Sequence, residues 1–458
     1  MSSIKPKANS QQPTAIPYGK QNITEEDIKA VVEVLKSDYL TQGPKIAEFE
    51  KEFANYVGSK YAIAVSNGTA ALHLNALALG VKSGDKVITT PITFAASANC
   101  VRYCGGEVVF SDIDPKTYLL DIENVRELLE ADTKKEIKGI IPVDFAGRAV
   151  DLEAFRKLAD EFNCWIIEDS CHSPGGFFTD SKGQKQHCGN GNFADLAIFS
   201  FHPVKHIAAG EGGMITTNDE TLYQKLTELR THGITKDSSK FQNNVHLALG
   251  DWQLAKSQQP TANSQEQAAN SQQLTANSYP NWYMEMQNLG YNYRLTDFQA
   301  ALGLSQLKRA NKGLIKRHEI AARYFEAFKS IPQITDRNIE SNTSQTPTAN
   351  SQSPTAESKP TANSQQLTAN AHAHHLYVIE VENRLGLYNY LRENHIYTQI
   401  HYIPCHLMPY YKEQGWKEGD LPNAEAYYTS CISLPMFPSL KIEEQEFVIK
   451  KIKEFLKQ

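Results

Sequence analysis

Trp165-Ile166-Ile167-Glu168-Asp169-Ser170-Cys171-His172 reads as an apolar strand that ends in acids. Another strand-like run, Leu196–Phe199, leads into Ser200-Phe201-His202-Pro203-Val204-Lys205 and then the glycine-rich Gly210-Glu211-Gly212-Gly213. Upstream, Lys60–Val65 is a short apolar strand that gives way, at Ser66-Asn67-Gly68, to a helix over Thr69–Leu79. Further strands are predicted at Lys86–Thr89, Glu107–Phe110, Ile137–Val143, Cys164–Ile167 and Gly213–Thr216, with helices between them such as Asp121–Glu130 and Asp151–Phe162. Short apolar runs that alternate with helices predict an α/β fold with a mostly parallel sheet covered on both faces.

The ends of the chain extend this pattern. Thr24 begins a helix, with Asp27 three residues on in a capping-box-like arrangement. After about Leu314 come a helix, then strands at His375–Val381 and Ile396–His401 among helices. The expected organisation is a tail over 1–15, a large domain over 16–313 and a smaller α+β domain over 314–458.

A seven-residue repeat interrupts the chain. It runs as SQQPTAN, SQEQAAN and SQQLTAN across Ser257 to Asn277, and as SQTPTAN, SQSPTAE, SKPTAN and SQQLTAN across Ser344 to Asn370. A partial copy lies at Ser10 to Ala15. The period invites a coiled-coil reading, but the repeats lack an apolar seam and carry prolines. Polar tracts of this kind cannot bury enough surface to offset chain entropy, so they are expected to be disordered surface loops within 255–278 and 341–371.

The bulk composition excludes several classes. The 458 residues are 41% hydrophobic, enough for a large core, and the formal net charge of -6 has both signs spread along the chain. No basic block points to nucleic acid. The seven cysteines are odd in number and form no CxxC pair, against a disulfide framework or a structural zinc site. The N-terminus has no apolar core of a secretory signal, and no apolar run reaches the length of a membrane helix, so a cytoplasmic protein is expected.

Three segments carry candidate chemistry. Ser66-Asn67-Gly68-Thr69-Ala70-Ala71 lies where a strand becomes a helix, a place suited to a phosphate dianion, although such a turn is also ordinary in α/β folds. Asp169, at the carboxyl end of its strand, could pair with a pyridinium or simply cap or salt-bridge, and His172 could bond a ring hydroxyl or be structural. Lys205 follows a strand of the same sheet; most lysines are solvated, but one in partly apolar surroundings becomes a usable nucleophile. Ser200 could add a phosphate donor. A lysine, an acid and a phosphate cup are the parts that pyridoxal phosphate (PLP) requires of a protein.

Two other patterns carry less. Gly189-Asn190-Gly191-Asn192-Phe193-Ala194 matches G-x-G-x-x-A but has no apolar strand before it. His372, His374 and His375 lack a carboxylate or cysteine at zinc spacing, so no metal is expected.

With the blocks SNGTAAL, TFAASAN, IIEDSCHSPGG, FSFHPVKHI, GEGG and GYNYRLTDFQAALG, the chain resembles the sugar aminotransferases of the DegT/DnrJ/EryC1/StrS family, which are fold-type-I PLP enzymes. The resemblance spans about Ile16 to Lys457 apart from the repeats. It implies Lys205 as the Schiff-base lysine, Asp169 on the pyridinium nitrogen, Phe94 stacked on the ring and His172 near the ring hydroxyl. It implies Gly68, Thr69 and Ser200 on the phosphate, and Asn292 reaching the phosphate of a neighbouring subunit, hence a homodimer with shared active sites. Tyr39, Thr41, His401 and His406 would border the sugar nucleotide.

The FSFHPVKHI block and the opening IPYGKQNITEEDI narrow what the resemblance implies. The expected reaction moves an amino group from glutamate to the C4 keto group of a UDP-linked 4-keto-6-deoxy-N-acetylhexosamine, for pseudaminic acid biosynthesis. Its rivals are a dTDP-linked or 3-keto sugar as acceptor, a dehydratase on the same fold, and a non-catalytic PLP-binding regulator. The family's dehydratases replace the lysine with histidine; here Lys205 is present, with His206 beside it.

Overall fold

The computed structural model describes residues 15–243, 279–338 and 372–457. The repeats at 257–277 and 344–370, and all but the last residue of the copy at 10–15, lie outside them. The expectation of disorder falls there too.

All seven strands expected of the central sheet form. They are β1 (Tyr61–Val65), β2 (Lys86–Thr89), β3 (Glu107–Phe110), β4 (Ile137–Ile141), β5 (Trp165–Asp169) and, after the hairpin β6 (Phe177–Thr179) and β7 (Lys185–His187), β8 (Leu196–Ser200) and β9 (Gly213–Thr217). Their spatial order is β1-β9-β8-β5-β4-β2-β3. Only β9 runs against its neighbours; the β5–β8, β4–β5, β2–β4 and β2–β3 pairs are parallel. This is the mostly parallel sheet that the sequence pattern leads one to expect, and its near-continuous apolar strands follow from burial on both faces.

The covering helices begin where their capping residues say they should. Asp121 and Asp151 accept first-turn N–H groups of the helices Ile122–Ala131 and Leu152–Phe162, and Thr24 N–H donates to Asp27 at the start of Glu25–Leu35. Helices Pro44–Val57 and Asp297–Leu307 press Phe49, Phe53 and Leu304 onto Phe199, Phe201 and Met214. Near β2, β4 and β5, Ile88, Ile140 and Ile166 share a core with Val125, Leu129, Phe155 and Leu158.

C-terminally, β10 (Thr335–Asp336), β11 (Tyr377–Glu380) and β12 (Cys431–Leu434) form a small antiparallel sheet that packs with helices Ala310–Phe328, Arg384–Glu393 and Ile442–Phe455. The boundary expected at 313/314 falls inside the continuous helix Ala310–Phe328. The strand expected at Ile396–His401 does not form. Ile396 bridges Ile16 in parallel and Gln399 bridges Ser433 in antiparallel, so the pairing partner changes within four residues and no ladder can extend.

The chain divides into two compact units, Met1–Tyr223 with Leu295–Gln458, and Gln224–Arg294. In the second, Ile234–Thr235 pairs with Glu285–Met286, and Gly233 and Gly290 let two backbones meet. A Cβ on Gly233 would lie 1.9 Å from Asn288 O, and one on Gly290 would lie 2.0 Å from Gly233 N. Among the described residues no helix is long and apolar enough to cross a membrane.

Candidate active site

The parallel strands β1, β8, β5 and β2 end at one edge of the sheet, where open α/β sheets place their ligands. β1 runs into the cup. Asn67 caps the helix Gly68–Ala78 by accepting Ala70 N–H at 2.8 Å, so the first-turn N–H groups and the positive end of the helix dipole open on this edge. β8 brings Ser200 to the same place: a Cβ on Gly68 would lie 3.1 Å from Ser200 Cβ and 3.6 Å from Cys171 Sγ. Gly68 and Ser200 thus meet where this helix begins, with Thr69 next in its first turn, and the bare Gly68 backbone leaves room for a cradle of the kind a phosphate needs.

Gly213, first residue of β9, pairs with both Val65 and Ser200 and braces this cradle from behind. A Cβ there would sit 2.7 Å from Asn67 C and O and 2.9 Å from Gly68 N, all backbone atoms that cannot swing away. Gly213→Ala is therefore expected to weaken PLP binding at least about tenfold through displacement of the cup, since overpacking of this kind costs about 1–3 kcal/mol. Fluorescence titration of the cofactor checks it.

β5 carries the acid. Asp169 is 5% exposed; its Oδ2 accepts the Ser97 hydroxyl at 2.6 Å and its Oδ1 accepts Cys171 N–H at 3.1 Å. The period of two along a strand turns Glu168 to the opposite face. There its Oε2 accepts Gly189 N–H at 2.9 Å, and its other neighbours are Asp144 and Cys188, with ligand atoms of the three within 4.8 Å of one another. Burial pushes the Asp144 carboxyl up as well, but the Ser173 and Ser170 hydroxyls and Val150 N–H that it accepts favour its ionised form, so of the two the charge rests on Asp144. Burial, then the Asp144 charge, push the Glu168 carboxyl well above the usual range, so Glu168 keeps its proton.

That assignment has a stability consequence. A carboxyl raised in the folded state costs nothing below its ordinary pKa of about 4.3. It costs more as pH rises above that value, because only the unfolded chain ionises. Glu168→Gln keeps the neutral shape and an acceptor for Gly189 N–H. Its melting temperature at pH 7 should exceed the wild type's by about 2 °C, with the difference shrinking toward pH 4.

Lys205 lies past β8, and burial pushes its ammonium below the ordinary lysine value, against the pull of Cys171 and Asp169. Its backbone N–H donates to His202 O. His172 is buried beside it. Ala146 N–H donates to His172 Nδ1 at 3.3 Å, which places the ring proton on Nε2, 3.4 Å from Tyr402 Oη. Burial, then the Lys205 charge, push His172 well below the usual histidine range, so it is a neutral Nε2–H donor.

The remaining expected residues are distributed as follows. Phe94 is 64% exposed, its ring 6.5 Å from that of Tyr402, and so presents a face to a ligand. Tyr39 and Thr41 are exposed before the helix Pro44–Val57. His401 is buried against Tyr18, with Nδ1 2.9 Å from Ser433 Oγ, and burial brings it down to about 3. His406 is fully buried, with Nε2 2.9 Å from Glu425 Oε1. Asn292 is exposed in the second unit, where it bridges Thr231.

The histidine cluster and the glycine motif have other roles. His372, His374 and His375 sit inside the protein: His374 N–H donates to His372 Nδ1, and the His375 ring lies 4.3 Å from that of His172. Arg317 donates to the His374 and His375 carbonyls. Gly189-Asn190-Gly191 is a left-handed turn between two strands and opens no helix. Sequence reasoning gave Ser97 and Arg317 no role: Ser97 lies in the TFAASAN block, quoted only for its resemblance, while Tyr402 lies between the expected His401 and His406, and His375 was weighed only as part of a metal cluster.

The donor set fits PLP: a cradle of first-turn N–H groups with a hydroxyl for the phosphate, a carboxylate for the ring nitrogen, an exposed aromatic face and a desolvated lysine. The family model described as the DegT/DnrJ/EryC1/StrS aminotransferase family matches residues 21–453. The chain belongs to that family. It is a PLP-dependent sugar aminotransferase acting on nucleotide sugars.

The spore coat polysaccharide biosynthesis protein SpsC of Bacillus subtilis is 35% identical over 450 residues, 96% of this chain and 97% of its own. The UDP-4-amino-4,6-dideoxy-N-acetyl-beta-L-altrosamine transaminase of Campylobacter jejuni is 32% identical, over 94% of this chain and 95% of its own. Among solved structures, Helicobacter pylori PseC, an aminotransferase involved in the biosynthesis of pseudoaminic acid, is similar at a TM-score of 0.74 and 27% identity, over 97% of this chain and 100% of its own.

Proposed function

We propose that this aminotransferase moves an amino group from glutamate to the C4 keto group of a UDP-linked 4-keto-6-deoxy-N-acetylhexosamine. The product is UDP-4-amino-4,6-dideoxy-N-acetyl-β-L-altrosamine, and the setting is cytoplasmic pseudaminic acid biosynthesis. The observation that carries the substrate is the 32% identity with the altrosamine transaminase along 95% of that enzyme's length. The complete lysine, acid and cradle set carries the chemistry.

When bound, PLP supplies the electron sink for the charge that develops at the donor's Cα. Gly68 and Thr69 N–H groups and the Ser200 hydroxyl hold the phosphate. Asp169, fixed by Ser97 and Cys171, keeps the ring-nitrogen proton in place. Phe94 covers one ring face, and His172 Nε2–H donates toward the ring hydroxyl. Lys205 would hold the cofactor at rest, and its free Nζ would serve as the base that takes and returns the proton at the donor's Cα. The lowered Lys205 pKa leaves more of the free amine available for this at neutral pH.

The substrate contacts belong to the same reading. Tyr39, Thr41, His401 and His406 border the sugar nucleotide, His406 being held by Glu425. Asn292 reaches the phosphate across a homodimer. A second reading is another nucleotide keto sugar, since SpsC, at 35% identity, is described only as a spore coat polysaccharide biosynthesis protein. Product analysis separates the two: incubation with glutamate and the UDP-linked 4-keto-6-deoxy-N-acetylhexosamine should yield one 4-amino sugar. Amination of a dTDP-linked or 3-keto sugar instead would select the second.

A further inference from the structure

Asp169 is held by more than its own strand. Its Oδ2 lies 2.6 Å from Ser97 Oγ, and Ser97 Oγ lies 2.8 Å from Thr93 Oγ1. Ser97 has an alternative acceptor in Phe94 O, but at 3.4 Å. An ionised carboxylate only accepts, so the single Ser97 hydroxyl proton points at Asp169. Ser97 must then accept from Thr93, which fixes the direction of both bonds: Thr93 to Ser97 to Asp169. Thr93 is 2% exposed and Ser97 fully buried, so neither can exchange its partner for water.

The chain leaves room for a ligand. A carboxylate offers about four lone-pair sites. Cys171 N–H and Ser97 take one on each oxygen of Asp169, and the remainder can receive a ring N–H. The same loop carries the exposed Phe94 between the two hydroxyl residues. It is tied down in turn, because Cys405 N–H donates to Pro91 O at 2.9 Å. One short segment therefore sets both the aromatic face and the orientation of the acid.

We propose that Thr93 and Ser97 form a directed hydroxyl chain that positions the Asp169 carboxylate on the ring nitrogen of PLP. Both are positioning residues, acting through Asp169. The inference rests on the reading of Asp169 as the ring-nitrogen partner.

The test compares binding of PLP with binding of its analogue that has carbon in place of the ring nitrogen. Dissociation constants are measured by fluorescence on the full-length apo protein. Wild type should prefer PLP. Ser97→Ala should narrow that preference about tenfold, as loss of a hydrogen bond to a charged group implies. Thr93→Val should narrow it less, and Ser97→Thr should restore it. Equal weakening of both ligands in Ser97→Ala, or an unchanged preference, would overturn the chain while leaving Asp169 in place. No preference in the wild type would overturn the reading of Asp169 and the chain together. Should Ser97→Ala fail to fold, Thr93→Val carries the same comparison, and an unchanged preference there rejects the directed chain.

Discussion

Lys205→Ala retains the fold and binds PLP, yet turns over at least about a thousandfold more slowly, because the proton transfer at Cα has lost its base. No hydrogen bond or ion pair among the described residues ties up the Lys205 Nζ, so the truncation strands no partner. It also removes a partly desolvated cation, which costs stability rather than adds to it. Lys205→Arg is the sharper control: it keeps a positive charge but holds its proton at any working pH and should be as slow. Single-turnover rates with glutamate, read from the cofactor's absorbance, measure the loss. A near-normal rate in either variant removes Lys205 from the reaction.

Asp169→Asn is the second large effect. The amide keeps the size of the carboxylate, and its oxygen can still accept from Ser97 or from Cys171 N–H. What it loses is the charge that, in the proposed role, faces the ring nitrogen. Preorganised groups of this kind contribute about a hundredfold or more to the rate, and their removal should appear in the half-reaction rather than in donor binding. A fall of that size in the single-turnover rate with glutamate, at little change in the donor concentration for half-saturation, is expected. Unchanged half-reaction rates would assign Asp169 to structure alone.

The fold was legible where local patterns suffice. The strands of the central sheet are short apolar runs, and Asp121 and Asp151 announce their helices by capping chemistry that acts over three residues. Ile396–His401 has the composition of a strand, but strand formation needs one continuous neighbour, and this segment meets two. The places of Asp169, Gly68 and Lys205 along the sheet's edge were legible because each ends or follows a recognisable strand. The partner of Asp169 was not: Ser97 lies 72 residues away, and a serine in a helix's first turn looks the same whether or not it meets a carboxylate. Likewise, only the fold shows that Glu168 and Asp169, adjacent in sequence and both buried, find different partners on opposite faces of the sheet. The interior place of His372, His374 and His375 was hidden because composition beside a polar tract says nothing of burial.

The most direct test of amino transfer to a nucleotide keto sugar is a two-step spectrum of the bound cofactor. Purified protein is first treated with glutamate, which should bleach the visible band as the amino group moves onto PLP. A panel of UDP- and dTDP-linked 4-keto and 3-keto sugars is then added one at a time. The account predicts that the UDP-linked 4-keto-6-deoxy-N-acetylhexosamine restores the band rapidly and that the others do so slowly or not at all. A band that glutamate bleaches but no keto sugar restores would contradict the sugar assignment, and a band that glutamate leaves untouched would contradict transfer from that donor.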